Sequence, residues 1–219
     1  MTLEIFNIPR YWALTSKFRL GYYTFHLFFY IIICDNDYFI ESLVSFMGER
    51  KFCRESKVIQ THRIFPFDLN PFGFLYGGKL TAWIDDASSI SISRHCRRGA
   101  VTASIDSLNF LKPLHANHSA CIETFVSGAH HKSMEVFVKV VGEDLVTGER
   151  YLAATCFTTF VAVPSFMNEE TEFQVPAVIP ETEEEKMVCA GYEKRRQARL
   201  AERNQYKDFA AKLSTEIPW

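Results

Sequence analysis

The chain has 219 residues, with 24 Lys and Arg against 26 Asp and Glu, a formal charge of −2 and 47% hydrophobic residues. That length holds one or two domains with a real core. The near-neutral balance argues against a general nucleic-acid binder, and the ordinary charged fraction of 23% argues against wholesale disorder.

Aromatic content is uneven. Residues 1–46 hold 13 of the 32 aromatics but only one Gly, one Pro and seven charged residues. They read as a segment of another kind joined to an ordinary globular sequence. Arg10, Lys17 and Arg19 precede the apolar run Leu20–Cys34, and Asp35 and Asp37 follow it, an order that suits a signal anchor. The run has 15 residues and contains His26, whereas a spanning helix needs roughly 20 apolar residues. The following CDND offers no small-residue cleavage site. Three readings stand: a membrane anchor at residues 20–34, an extra helix packed on the domain or a partner, or a stretch outside the working protein with Met47 as its start. The third is the expectation. The domain organisation is then an aromatic-rich extension (1–46), a main domain (47–163), and a linker with a charged helix (164–219).

The six cysteines (Cys34, Cys53, Cys96, Cys121, Cys156 and Cys189) are widely spaced, with no CxxC pair. They read as reduced packing thiols, which fits a reducing compartment and a cytoplasmic location. The seven histidines show no metal-ligand spacing, so neither metal nor cofactor is expected.

Elements follow in order. Ser56–Phe65 alternates and predicts a strand stopped by Pro66. The stretch PFDLNPFGFLYGG is turn-rich and reads as a loop. From Lys79 to about His95 the period is helical, with Leu80, Trp83, Ile84, Ala87, Ile90 and Ser91 as one apolar stripe. Gly99 is the expected terminator, with Arg97 and Arg98 near the helix C-terminus. Four strands follow: Val101–Leu111, Ser119–Gly128, Lys132–Gly142 and Arg150–Val163. Short turns favour antiparallel pairing, and apolar residues on both faces of the last strand suggest a central place. One helix cannot cover both faces of five strands, so a further surface is expected to meet a second subunit. Beyond Val163 the prolines predict a linker. From Glu181 to Leu213, acidic then basic residues predict a charged, mostly solvated helix. Glutamates among its arginines weaken a nucleic-acid arm.

The chemically informative stretch is DLNPFGFLYGGKLTAWIDDASS. Gly77 and Gly78 sit where loop becomes helix, and a helix N-terminus offers unpaired N–H donors that can hold a polarised carbonyl oxygen. A capping glycine pair is the plainer reading of these two residues alone. Asp85 lies roughly 140° round from Leu80, away from the core stripe, among Thr81, Ser88, Ser89 and Ile92. Asp86 falls beside Ala82, Trp83, Ser89 and Ile90. Asn70 can donate or accept near the glycines, or simply form an Asx turn before Pro71.

These residues resemble a known family. Asn70, Gly73, Gly77, Gly78 and Asp85, followed by VTASIDSLNFLKP (Val101–Pro113), are similar to the HotDog acyl-CoA thioesterases, nearest the bacterial and brain-type acyl-CoA hydrolases. KSMEVFVKV, TGER, FTTFVAV and PETEEEK extend the resemblance over about residues 50–200. It implies an α+β HotDog fold, in which an antiparallel sheet wraps one long helix, with a C-terminal helical tail. It also implies hydrolysis of fatty acyl-CoA to free acid and CoA by homo-oligomers (dimers, assembled in the family into hexamers). Asp85 would act as general base or nucleophile. The Gly77–Gly78 backbone would polarise the carbonyl, and Asn70 of the facing subunit would place the water or thioester. The chain departs from the family's Gly-Arg-Thr/Ser-Ser at His130, His131, Lys132 and Ser133, a CoA-contacting turn. Lys132 and His131 supply the charge instead, with Ser133 beside them, or CoA affinity is altered. It also has Ala116-Asn117-His118 for Val-Gly-Asp. Arg94, with Arg97 and Arg98, is a further candidate for CoA phosphates. The main rival is an acyl-CoA-binding sensor without turnover; a hydratase would need an Asp/His pair placed elsewhere.

Overall fold

The computed structural model describes residues 49–163 and 173–216. The three readings of residues 1–46 lie outside the described residues. In order come β1 (Arg50–Phe52), a helical turn α1 (Cys53–Ser56), β2 (Val58–Arg63) and, after a 3-10 turn at Pro66–Asp68, the long helix α2 (Gly77–Cys96). Then follow β3 (Ala100–Phe110), β4 (His118–His130), β5 (Ser133–Asp144), β6 (Arg150–Ala162), β7 (Ala177–Ile179), α3 (Glu183–Ala190) and α4 (Tyr192–Ala210).

Strands β2-β4-β5-β6-β3, in that order, form one antiparallel sheet. The two-residue turn between β4 and β5 and the short loop between β5 and β6 make that pairing the cheapest to close. β6 is interior as expected, but the middle of the sheet is β5. One sheet face packs on α2: Val126, Val136, Val138, Val140, Ala154, Cys156 and Phe160 meet Leu80, Ile84, Ala87 and Ile92 in a single buried cluster. Ser91 and Thr124, both fully buried, bond hydroxyl to hydroxyl at 2.6 Å. The pair removes the desolvation cost that either would carry alone.

The buried stripe of α2 is rotated from the expected one. Ser88, Ile92, His95 and Cys96 are buried, whereas Ile90 is 38% exposed and Trp83 only half-buried. Ser88 and Ile90 lie about 200° apart round the helix, so the covered side takes in the serine and leaves the isoleucine out. Trp83 instead stacks on His62 of β2 at 4.3 Å between centroids. The helix ends earlier than Gly99: Arg97 takes a left-handed φ of 52° and its N–H closes on the Ser93 carbonyl at 3.0 Å. Asn117 has φ 63°, a region asparagine tolerates.

The C-terminal stretch departs most from expectation. Part of the proline-rich linker is a strand, β7, which pairs in parallel with β1. The tail is two helices, and they dock on the outer face of the sheet. Phe125, Phe137 and Val188 form a second buried cluster there with Cys53, flanked by Phe157 and Cys189. Tyr192 lies so close to Gly128 that a Cβ on that glycine would sit 2.1 Å from the ring. Arg195 and Arg199 reach Glu135 of β5, a fully buried carboxylate. The inward face of α4 (Tyr192, Arg195, Arg196 and Arg199) therefore has helical spacing but is made of one tyrosine and three arginines. Periodicity of apolar residues could not reveal it.

Candidate active site

Asp85 sits two turns into α2, half-buried, on the side turned toward β3. Its Oδ1 accepts a hydrogen bond of 2.8 Å from the Thr102 hydroxyl. Thr102 reaches it because of a bulge: the register with β6 shifts between Thr102 and Ser104, leaving Ala103 extra. Thr102 pairs with Phe160 and Ile105 with Thr158, both buried on the helix side of the sheet. In an unbroken strand, residues three apart would face opposite ways. The bulge thus points threonine and isoleucine to one side, and Asp85 gains an orienting donor that leaves Oδ2 open. Ser88 and Ile92, placed with Asp85 away from the core stripe by helical spacing, are buried; Asp86 is exposed. Asp85 therefore stands at the margin of the core.

Gly77 and Gly78 open α2 behind Tyr76, which has an extended backbone and contributes no side-chain cap. Their N–H groups belong to the first turn, which has no partner within the helix. The preceding loop is pinned by backbone bonds from Leu75 to Leu114 (2.7 Å) and from Tyr76 to Asp68 (2.9 Å). Asp68 is itself buried and accepts from Phe65 N–H at 3.0 Å. The ring of Phe110, at the far end of β3, lies over Gly77, 3.6 Å from where a Cβ would be. The Asn70 Oδ1 accepts from Phe72 N–H (2.9 Å) and Phe74 N–H (3.2 Å), so the Asx-type turn is formed. That use of the oxygen fixes the side chain and leaves its Nδ2 as a donor. Asn70 and Gly77 share an apolar pocket of about 400 Å³ with Leu75, Leu80, Phe110 and Leu114.

Asp85 is eight residues beyond Gly77, about 12 Å along the helix axis. One chain therefore cannot present its Asp85 and its own Gly77 to the same carbonyl.

His131, Lys132 and Ser133 come together at the β4–β5 turn. They line a groove of about 1060 Å³ whose opposite wall is α4, with Arg196, Arg199 and Arg203. His131 takes φ 49° in the turn. Lys132 Nζ lies 5.1 Å from the centre of the Phe173 ring. The Arg196 guanidinium faces the His130 ring nitrogens at 3.2–3.3 Å. Burial, then the Arg196 charge, holds the His130 pKa below its usual value. Arg94 is not part of this groove: its guanidinium donates to the Lys57 carbonyl at the start of β2. Thr102 and the α4 arginines were the functional candidates missed in the sequence. Thr102 lay inside the quoted VTASIDS motif; the arginines carried no signal beyond charge.

Among the described residues, no three His, Cys, Asp or Glu side chains converge as a metal site. No helix among them is long and apolar enough to cross a membrane.

Residues 72–149 match the model of the thioesterase superfamily. An uncharacterized acyl-CoA thioester hydrolase of Bacillus subtilis is 49% identical over 171 residues, 78% of this chain and 98% of that protein. The chain belongs to the thioesterase superfamily, among its HotDog-fold acyl-CoA hydrolases. The crystal structure of an acyl-CoA hydrolase from Bacillus cereus, 43% identical, superposes with a TM-score of 0.71 over 76% of this chain and 99% of that one. A Staphylococcus aureus acyl-CoA hydrolase in complex with butyryl coenzyme A, coenzyme A and coenzyme A disulfide is 34% identical, with a TM-score of 0.67, over 74% of this chain and 99% of that one. The human cytosolic acyl coenzyme A thioester hydrolase is 35% identical over 127 residues; the match spans 57% of this chain but only 33% of that protein.

Proposed function

We propose that this protein hydrolyses fatty acyl-CoA thioesters to the free acid and CoA, with active sites assembled between two copies of the chain. Membership among the acyl-CoA hydrolases supports the substrate class. The observation that carries the mechanism is the Asp85 carboxylate, held on one oxygen by Thr102 and about 12 Å along the helix from the carbonyl-binding end of its own α2.

β3 bonds only to β6 among the described residues, and its other edge exposes Val101, Ile105 and Phe110. Such an edge invites a second copy. Thr102 and Phe110 lie four residues either side of Asp106. Antiparallel pairing of two β3 strands about Asp106 brings Thr102, with Asp85, opposite the partner's Phe110, which covers the partner's Gly77. The two halves that one chain keeps apart then meet.

In the reaction, Asp85 Oδ2 takes a proton from a water, which adds to the thioester carbonyl. The partner's Gly77 and Gly78 N–H groups hold the developing oxyanion, with the partner's Asn70 Nδ2 as a further donor. The tetrahedral intermediate collapses, the C–S bond breaks, and the CoA thiolate leaves and is protonated. A positioned base contributes roughly 10²–10⁴-fold, and one oxyanion donor roughly 10²–10³-fold. The apolar pocket beside Gly77 takes the acyl chain. The cationic groove of His131, Lys132, Ser133 and the α4 arginines takes CoA phosphates.

The spacing of residues in a relative supports the assignment. Structures of the S. aureus hydrolase carry alanine in place of an asparagine, an aspartate fifteen residues on, and a threonine seventeen beyond that. Asn70, Asp85 and Thr102 have the same spacing. Assembly beyond the dimer follows by analogy with relatives described as hexameric. A cytoplasmic location fits the free thiols of Cys53, Cys96, Cys121, Cys156 and Cys189. Anchoring through residues 20–34 is the alternative. Asp85→Asn, measured by thiol release from acyl-CoA of several chain lengths, should lower kcat at least a hundredfold with the fold intact. Near-normal turnover would remove Asp85 from the mechanism, and CoA binding without turnover in the unmodified protein would favour a sensor.

A further inference from the structure

Two of the cysteines read as scattered packing thiols are neighbours. The Sγ atoms of Cys53 and Cys189 lie 3.8 Å apart, although the residues are 136 positions apart in sequence. Cys53 is 1% exposed at the start of α1, and its thiol also faces the Val126 carbonyl at 3.7 Å. That turn is fastened to β4, where the Ser56 hydroxyl accepts from Val126 N–H at 3.0 Å. Cys189 lies near the end of α3 and is half-buried, so a small reagent can reach it. Three residues further on the chain enters α4, whose Arg195 also donates to the Val188 carbonyl at 2.8 Å.

We propose that Cys53 and Cys189 form a redox modification site, at which a hydroperoxide or a low-molecular-weight disulfide oxidises Cys189 and Cys53 then closes a disulfide that fastens the C-terminal helices to the sheet. The roles differ because the environments differ. Sharing of the Cys53 proton, assisted by the Arg195 charge, holds the Cys189 pKa below the usual thiol value, while burial and Glu185 oppose it. The hydrogen bond to Cys189, then burial, pushes Cys53 far up, with Glu185 and Glu181 adding to the rise. The more accessible sulfur is thus the nucleophile and the buried one keeps its proton.

With a hydroperoxide, the Cys189 thiolate attacks the terminal oxygen, the O–O bond breaks, and a sulfenic acid and an alcohol form. The Cys53 sulfur then displaces the sulfenic hydroxyl, which leaves as water with the Cys53 proton. Two thiols are oxidised as one peroxide is reduced. With a small disulfide, Cys189 forms a mixed disulfide and releases one thiol; Cys53 resolves it and releases the second. Closing to a bond near 2.05 Å needs the sulfurs to approach by roughly 1.8 Å, within reach of side-chain rotation. The other described cysteines lack this arrangement. Cys156, for instance, is fully buried, and its pKa is pushed up to about 12 by burial and by Asp106.

The test uses the full chain, reduced and then exposed to oxidised glutathione or to hydrogen peroxide in slight excess. Free thiols are counted and peptides mapped by mass. A Cys53–Cys189 peptide should be the main product, with two thiols lost and slower hydrogen exchange over Tyr192–Ala210. Cys53→Ser should stop at a Cys189–glutathione adduct, and Cys189→Ser should leave Cys53 unmodified. Modification of Cys34 or Cys121 ahead of this pair, or equal modification of Cys53 in the Cys189→Ser protein, would overturn the proposal. Mapping of the unmodified chain decides it even if a serine variant fails to fold.

Discussion

Glutamate at position 135 is the point at which the C-terminal helix can be released from the domain. Its carboxylate is fully buried, accepts from Ser127 at 2.8 Å, and meets Arg195 at 2.8–3.2 Å and also Arg199. Glu135→Gln keeps the volume and one acceptor but removes the charge that both guanidiniums face. Breaking a buried ion pair by removing one partner costs about 3–5 kcal/mol. The Arg195 and Arg199 side chains are 25% and 19% exposed, so they retain some water, and the lower end of that range applies, about 3 kcal/mol. That is roughly a hundredfold in the docking equilibrium. The loss should fall on the docking of α4, because the sheet's other face keeps its apolar contacts with α2. Hydrogen exchange by mass spectrometry reads it: protection over Tyr192–Ala210 should fall by about that factor, while β5 and α2 keep theirs. Replacing Glu135, Arg195 and Arg199 together by apolar residues should restore much of the docking, since no charge is then stranded. Unchanged protection of α4 in Glu135→Gln, or an equal loss across the whole sheet, would refute the argument.

Two further outcomes follow from the site and the core. Thr102→Val removes the donor to Asp85 at nearly constant shape; kcat should fall about tenfold with KM little changed, in line with one hydrogen bond of roughly 0.5–1.5 kcal/mol. A rise in KM alone would mean that Thr102 binds substrate and does not orient the base. His95 is buried, with its Nε2 2.8 Å from the Pro176 carbonyl, and burial holds its pKa below the usual 6.5 despite that bond. The unfolded chain therefore takes up the proton first. The contribution is present above about pH 6.5 and is lost as pH falls through the unfolded value toward the folded one, at most about 1.4 kcal/mol per pH unit for one group. Urea midpoints should drop between pH 7 and 5.5, and His95→Gln should flatten that drop; identical profiles for the two proteins would contradict the assignment.

Local chemistry made part of this architecture legible. The period of two in SKVIQTHRIF and KSMEVFVKV and the period of 3.6 from Leu80 marked strand and helix, because side-chain direction repeats with the backbone. Asn70, Gly77, Gly78 and Asp85 kept a spacing that local elements preserve. The buried stripe of α2 was legible only in part, because the seating of the helix on the sheet selects which positions are covered, and Ser88 is buried while the larger Ile90 is not.

What the sequence determined by itself was the long helix, the five strands of the main sheet with their antiparallel pairing, and the family, all of which rest on neighbours in the chain. Tertiary structure decided the rest. It placed Thr102 against Asp85 through a bulge, which depends on the register with β6. It joined Glu135 to Arg195 and Arg199, docking the first part of a charged helix that is otherwise solvated as expected, because a buried carboxylate needs its cations wherever the chain can supply them. It also brought Cys53 to Cys189. Contacts over such separations depend on how the sheet closes round its helix, and no local pattern of residue types encodes that closure.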